Sequence, residues 1–429
     1  MTSPGDRAAE AAGGLDAQSA VAAATGTPPR WNGRQWMVLA GCSIAMICSV
    51  TTLTISFGVF LLPIGSSFGW GREVVSSAFA VTMFTEALSL FAVGQIVDRY
   101  DPRVTVIVGT VLFTGAIASL SLITPSKILL YSLFAALGMV AASQTQVPYA
   151  KIISAWFDHA RGAAIGIMLL GSAIGTTIMP PIAQAVIAQW GWRAAFVVFG
   201  AILLAIALPA QLFLIRWPPQ HQAARPDGAP RTIAESGTSL ATALRTPSLW
   251  TIALALFLIA NVLTGLMVHL FALLKDRGFP DSSSVLAVSI AGISMIAGRV
   301  LAGIAADRFR SDLVAALFFG LPEVAIALLW QPSGEAGAAI AAAVIGICSG
   351  GETAIAAVLV LKLFGQRAFG KIYAFVLFGF AVGCGTGPWL LAQTFDRNGS
   401  YAHGLMILAA LALLACGLAF TLKPRAART

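Results

Sequence analysis

The stretch LAVSIAGISMIAGRVLAGIAA, residues 286–306, carries one charged side chain, Arg299, in an apolar run long enough to cross a bilayer. Asp307 and Arg308 follow it and predict the cytoplasmic end of a helix. At about 1.5 Å per residue, Arg299 lies about 12 Å inside that end, near the bilayer midplane. A cation at that depth is costly unless it faces protein, water or an anion. We predict that Arg299 binds an anionic substrate; the alternative is a structural arginine neutralised by a neighbouring helix.

Similar apolar runs recur along the chain, which is 58% hydrophobic and 10% charged. Soluble domains carry about 25% charged residues, so the composition predicts a membrane protein. Lipid offers no hydrogen bonds to a backbone, so the runs should be helices and the fold class all-α. The predicted spans, twelve in number, are 37–62, 73–96, 104–123, 128–150, 161–187, 193–215, 248–273, 283–306, 313–330, 337–361, 369–393 and 402–422.

The ends of the chain are predicted to lie in the cytoplasm. Residues 1–35 are rich in small residues and proline, which is typical of a disordered tail, and no cleavable signal is recognised. Most of the 26 lysines and arginines fall in the two tails (1–35 and 423–429) and in alternate loops. The positive-inside rule then places both termini inside. The net charge of +8 is explained by anionic lipid, so no nucleic-acid partner is expected.

Two halves are separated by a polar segment rich in proline and glycine, residues 216–247. We predict a six-helix bundle on each side of it, 36–215 and 248–422, with the segment as a cytoplasmic linker. The halves match at a constant offset of 208 residues, which predicts pseudo-symmetric bundles that rock around a midplane site. The matching pairs are Trp156 and Phe364, Gly162 and Gly370, Gly171 and Gly379, Gly175 and Gly383, Pro180 and Pro388, and Gly191 and Gly399.

The loop between spans 2 and 3 reads GQIVDRYDPRV, residues 94–104. It resembles the signature loop of the major facilitator superfamily, with Gly94, Asp98, Arg99 and Arg103 at the matching positions. The resemblance implies the major facilitator fold. It also implies that these residues form a cytoplasmic latch, which holds the bundles together while the transporter opens outward. The alternative is that the charges only fix the topology.

A second tract, WFDHARGAAIGIMLLG at residues 156–171, resembles the motif of monocarboxylate porters. Other tracts resemble bacterial members of that group, which includes oxalate/formate exchangers, so a bacterial inner-membrane protein is implied. Span 11 has no lysine beyond Lys371 at its cytoplasmic edge, unlike the oxalate exchangers. A monoanion is therefore favoured over a dianion. Gln146 stands where many relatives carry a tyrosine on the substrate side.

Several polar residues inside the spans are candidates for the site. Glu352 is predicted at nearly the depth of Arg299, where it either carries a proton or pairs permanently with the arginine. Glu86 is the second candidate for proton coupling. Gln146 and Asn261 are predicted to orient the substrate through hydrogen bonds. His269, near the outer end of span 7, is a candidate outer gate.

The sequence contains no motif of an enzyme or of an ATP-driven pump. The predicted function is secondary active transport of a small organic monocarboxylate, coupled to H⁺, by a monomer without cofactors. The alternatives are an organic anion exchanger or an exporter of amphipathic compounds with the same fold. An alternative of another class is a membrane sensor that binds a ligand without transporting it.

Overall fold

The computed structural model describes residues 31–422, except 158–160, 217–237, 332–333 and 366. The side chains of Asp98, Arg161 and Asp307, and the burial of Gly162, also lie outside the described part. Most of the predicted tails and of the predicted linker therefore lie outside it too. The limits that we assign to the bundles, 36–215 and 248–422, remain predictions.

Eleven stretches of the described chain are helices long and apolar enough to cross a membrane. The longest, Ala163–Leu214, is two helices, because Gly191 adopts φ 81° and ψ 167°, a conformation that interrupts the helix and suits glycine. The prediction of twelve spanning helices in an all-α chain is thereby confirmed. They are α1 Gly33–Phe68, α2 Arg72–Arg99, α3 Pro102–Leu122, α4 Lys127–Trp156, α5 163–190, α6 192–214, α7 Pro247–Asp276, α8 Asp281–Arg308, α9 Ser311–Trp330, α10 Gly334–Phe364, α11 Phe369–Asn398 and α12 Ala402–Thr421.

Local sequence explains where some of these helices begin, end and break. Asn32 and Gln35 form a capping box that begins α1. Gly69 ends α1 in the left-handed conformation, with φ 65°. In the middle of α4, a short 3₁₀ turn is followed by extended backbone at Thr145, so a new helical segment begins at Gln146. This break places a helix start within the membrane-spanning part of α4.

The helices form two bundles of six, each with its own apolar core. In the first bundle α2 packs on α4 and α1 on α5; in the second, α8 packs on α10 and α7 on α11. Glycines at equivalent positions allow the close approach: Gly175 lies against the carbonyl of Ile47, and Gly383 against that of Phe257. The pseudo-symmetry read from the sequence is therefore present in the helix contacts.

In the described part of the chain, the bundles meet mainly through α1 with α7, α2 with α11, and α5 with α8. We call the half of the spanning region that holds Gly33 and Thr421 the inner half, and the opposite half the outer half. At the α1–α7 contact, Gly58 lies directly against the carbonyl of Val268. At the α5–α8 contact, Gly292 approaches the backbone of Thr176 with no room for a side chain. These approaches hold the bundles in backbone contact in the outer half. In the inner half, the bundles separate around a cavity.

Candidate functional site

A cavity of about 780 Å³ lies between the bundles in the inner half. Its walls are formed by α4 and α5 of the first bundle and by α8, α10 and α11 of the second. Its polar lining consists of Gln146, Arg299, Thr353 and Tyr373, and the rest of the described lining is aliphatic or glycine. A cavity between two pseudo-symmetric bundles, near the midplane, is where transporters of this architecture hold their substrates.

Arg299 reaches from α8 across the interface toward α5. Its Nη1 donates to the backbone oxygen of Leu169 at 3.2 Å and to Ser172 Oγ at 3.3 Å. Within the described residues these bonds occupy one of the three guanidinium nitrogens, which leaves the donors of Nε and Nη2 for a ligand. No salt bridge joins Arg299 to a carboxylate within the described part of the chain. The arginine is thus a desolvated cation on a cavity wall, held in place by neutral groups.

Gln146 lies on the opposite wall, at the start of the second segment of α4. Its side chain is exposed to the cavity and makes no hydrogen bond that involves other described residues. Val147 lines the cavity beside it, so the N-terminal end of this segment, Gln146–Trp156, faces the cavity. A helix N-terminus carries partial positive charge and adds to the positive potential that Arg299 creates.

Thr353 and Tyr373 complete the polar lining and were not singled out from the sequence. Tyr373 Oη donates to the backbone oxygen of Thr353 at 3.2 Å, which ties α11 to α10 at the cavity wall. The tract FGKIY, residues 369–373, is one of the tracts that resemble the bacterial members of the porter group, and this resemblance is the available signal for Tyr373. Nothing in the spacing of Thr353 indicates that it faces a cavity.

The two carboxyl groups predicted to couple protons, Glu352 and Glu86, lie away from the cavity lining. Glu352 is 6% exposed, and its Oε2 has no hydrogen-bond partner in the described structure. It does not pair with Arg299 in this conformation. Glu86 is half-buried on α2. Both carboxyl groups lie within electrostatic range of the Cys384 thiol, so they converge on one stretch of α11 where it packs on α2.

Asn261 also lies outside the cavity lining. Its side-chain nitrogen donates to the backbone oxygen of Phe257 at 2.7 Å, and its Oδ1 accepts from Thr386 Oγ1 at 2.8 Å. It is 3% exposed, in the α7–α11 contact. In this conformation its amide therefore serves helix packing, and substrate contact would require another conformation.

The outer half is closed by a network centred on His269, which is fully buried. His269 Nε2 lies 2.9 Å from the backbone oxygen of Pro388, so Nε2 carries the proton and donates there. His269 Nδ1, 2.8 Å from Tyr401 Oη, is then the acceptor of the phenol proton. Ser76 Oγ of the first bundle lies 3.3 Å from Nε2. Burial raises the pKa of the Tyr401 phenol, which keeps it protonated for this role.

Arg72, at the start of α2, extends this network across the interface. Its guanidinium makes two bonds to the Asp276 carboxylate, 2.6 and 2.8 Å long, and donates to Tyr401 Oη. It also lies 3.7 Å from the centre of the Phe395 ring. Asp396 accepts from the backbone nitrogens of Arg72 and Glu73 and so caps α2 from the other bundle. Of this network, the sequence reasoning recognised His269 alone.

The predicted latch lies at the inner end of α2. Arg103 Nη2 donates to the backbone oxygen of Leu212 at 2.7 Å, a contact within the first bundle. Arg99 is exposed, and a side chain at Gly94 would meet nothing within 4 Å. The Asp98 side chain lies outside the described residues. In the described contacts, neither Arg99 nor Arg103 reaches the second bundle.

Comparison with known proteins identifies the family. The model of the Major Facilitator Superfamily matches residues 42–388. The chain belongs to this superfamily. Monocarboxylate transporter 13 of Bos taurus is 25% identical over 406 residues, 92% of this chain and 90% of its own length. The oxalate:formate antiporter of Oxalobacter formigenes is 23% identical over 301 residues, 69% of each chain.

A solved structure shows a similar fold. A bacterial homologue of the human lysosomal transporter Spinster, in an inward-facing and unoccupied conformation, superposes with a TM-score of 0.67. The two sequences are 17% identical, and the superposition covers 92% of this chain and 99% of the homologue. The chain is thus an integral membrane protein with the architecture of a Major Facilitator Superfamily transporter.

Proposed function

We propose that this protein is a secondary active transporter that moves an organic monocarboxylate across a bacterial inner membrane, coupled to H⁺. The observation that supports it is Arg299, a cation on the wall of an interbundle cavity without a carboxylate partner in the described chain. Such a cation is stabilised when an anionic ligand arrives. The names of the bovine and Oxalobacter relatives agree with a carboxylate substrate.

The substrate carboxylate docks on the free edge of the Arg299 guanidinium. Nε and Nη2 present parallel donors, the geometry that binds a carboxylate through both oxygens. Gln146 supplies an amide to a second polar atom of the same substrate. The described lining holds no second cation, which favours a monoanion over a dianion.

Glu352 and Glu86 are the proposed carriers of the proton. An isolated buried carboxylate is costly, so a carboxyl group without a partner is held neutral until the environment changes. Among the described residues, Glu352 Oε2 has no hydrogen-bond partner in this conformation. Rocking of the bundles would change what surrounds both groups, because they lie beside the α2–α11 contact. Substrate movement and proton release are coupled in this way.

Alternating access would arise from contacts at the two ends of the interface between the bundles, which close and open in turn. In the outer half, Arg72 and His269 belong to one hydrogen-bonded network across the bundles, which we propose as the outer gate. In the inner half, Arg99 and Arg103 make no described contact with the second bundle, as expected of an open latch. Closing the latch around Asp98 while the outer network breaks would give the outward-open state.

The test is uptake and counterflow of labelled monocarboxylates in proteoliposomes. Arg299→Gln should abolish transport with insertion intact, while Arg299→Lys should keep part of it, because a point charge remains but the fork geometry is lost. The matched control is Arg193→Gln, since Arg193 bonds Ile123 within the first bundle. Transport by Arg299→Gln at the wild-type rate would refute the binding role. Specific binding without flux would instead favour the sensor.

Glu352→Gln tests the proton. It should lose accumulation driven by a pH gradient and keep exchange, since exchange moves no net proton. Accumulation that persists in Glu352→Gln but not in Glu86→Gln would assign the proton to Glu86. Accumulation that persists in both variants would refute the coupling.

A further inference from the structure

The size and the chemistry of the cavity indicate what kind of monocarboxylate enters it. Resting on the proposed function, we infer that the substrate is an amphipathic monocarboxylate, whose alkyl or aryl body fills the aliphatic part of the cavity. A short acid such as formate or acetate would leave most of the space unfilled.

The volume is the first argument. At about 780 Å³, the cavity falls within the range of about 300–1,000 Å³ that is typical of sites for drug-sized ligands. A single carboxyl group docked on Arg299 occupies a small corner of such a space. The remainder must be filled by water or by the body of the substrate.

The aliphatic lining decides between these two. Long apolar side chains come from three helices, on both sides of the interface: Val147, Ile165, Ile167, Leu169, Leu170, Ile296 and Val300. Alanines at 150, 163, 173, 354 and 357 leave room between them. Water gains little from such walls, whereas burial of an apolar body against them is favourable by the hydrophobic effect.

The polar groups set the charge of the substrate. In the described lining, Arg299 is the one cation and no carboxylate is present. A second carboxylate on the ligand would therefore be buried without a counter-charge, and so would an ammonium group. This disfavours dicarboxylates and zwitterionic amino acids of equal length. Gln146, which has no described partner, accommodates one neutral polar group.

The experiment measures binding of labelled straight-chain acids to the purified full-length protein. From butanoate to octanoate, affinity should rise about fourfold per methylene group, the value for complete burial of each one. Octanedioate and 2-aminooctanoate should compete with labelled octanoate at least tenfold more weakly than unlabelled octanoate does. Partition into detergent is subtracted with Arg299→Gln, which retains the apolar cavity and loses the cation.

A matched pair of variants tests the location of the apolar body. Ala354→Leu places three more carbon atoms in the cavity, so octanoate should lose affinity at least tenfold while butanoate changes little. Ala297→Leu, on an exposed face of α8 outside the lining, should leave both unchanged. A thermal unfolding scan of each variant separates loss of fold from loss of space.

Two kinds of failure are distinguishable. Equal affinity for butanoate and octanoate, or equal competition by octanedioate, overturns the amphipathic substrate and leaves monocarboxylate transport standing. If no acid of the series binds wild type better than Arg299→Gln, the proposed function itself fails. If Ala354→Leu binds octanoate as wild type does, the apolar body does not lie in this cavity.

Discussion

Removal of the Arg72 guanidinium should open the outer half of the protein. The side chains of Arg72 and Asp276 are 13% and 33% exposed, so their pair is partly screened by solvent. We assign about 1–1.5 kcal/mol to the two charge-assisted bonds, between the values for exposed and buried pairs. The contact over Phe395 adds about 0.5–1 kcal/mol. Arg72→Gln should therefore shift the closed–open equilibrium by about 2 kcal/mol, or roughly thirtyfold.

The opening is measured through a cysteine introduced at Ser76. Ser76 is fully buried between the bundles beside His269, so a membrane-impermeant maleimide reaches Ser76→Cys when the outer network separates. When opening is fast compared with labelling, the labelling rate follows the open population. We expect about a thirtyfold faster rate in Arg72→Gln, in right-side-out spheroplasts, after subtraction of labelling at the native cysteines.

Two comparisons make the result specific. Asp276→Asn should accelerate labelling by about five- to tenfold, the share of the ion pair alone. The double variant should label no faster than Arg72→Gln, because both changes break the same pair. Arg193→Gln removes the same charge near the same surface, but Arg193 bonds Ile123 within its own bundle and should have no effect. Unchanged labelling in Arg72→Gln, or an equal gain in Arg193→Gln, would refute the gate.

Three further results are expected. Gly292→Val should also accelerate labelling at Ser76→Cys, because its Cβ would lie 2.6 Å from the Thr176 carbonyl oxygen; Gly303→Val on the same helix meets nothing within 4 Å and should not. Gly298→Ala should lower the melting temperature, because its Cβ would overlap the Ile347 carbonyl and such overpacking costs about 1–3 kcal/mol. The control Gly303→Ala, whose Cβ meets nothing within 4 Å, should leave the melting temperature unchanged or raise it. Gln211→Leu should cost about 1–3 kcal/mol in an unfolding titration, because Thr110 and Tyr149 each lose one of their two buried side-chain partners and keep Gln144 alone; a loss as small as that of the exposed Gln95→Leu would contradict this.

The prediction of the cavity from the sequence was uneven for a physical reason. Hydropathy and spacing along a helix give the depth of a residue, and depth drew attention to Arg299 and Glu352 together. Depth does not give the direction in which a side chain points around the helix. Arg299 and Gln146 line the cavity, while Glu352 and Asn261, at comparable depths, lie among packed helices.

The outer network was largely invisible to sequence reasoning. Arg72 and Asp276 are separated by 204 positions, and Arg72 and Tyr401 by 329, so no local pattern links them. Each charge also has an ordinary explanation as a residue at the end of a span. Their pairing depends on how the bundles are docked.

The sequence by itself determined that this is an all-α membrane protein. A backbone without hydrogen-bond partners in lipid must form helices, and the number of apolar runs gave the number of helices. It also determined the pseudo-symmetry, because glycines at a fixed offset permit the same close contacts in both halves. The tertiary structure decided which half of the interface is closed and which polar groups share a cavity. Those features depend on contacts between the bundles, and no periodicity within one helix encodes them.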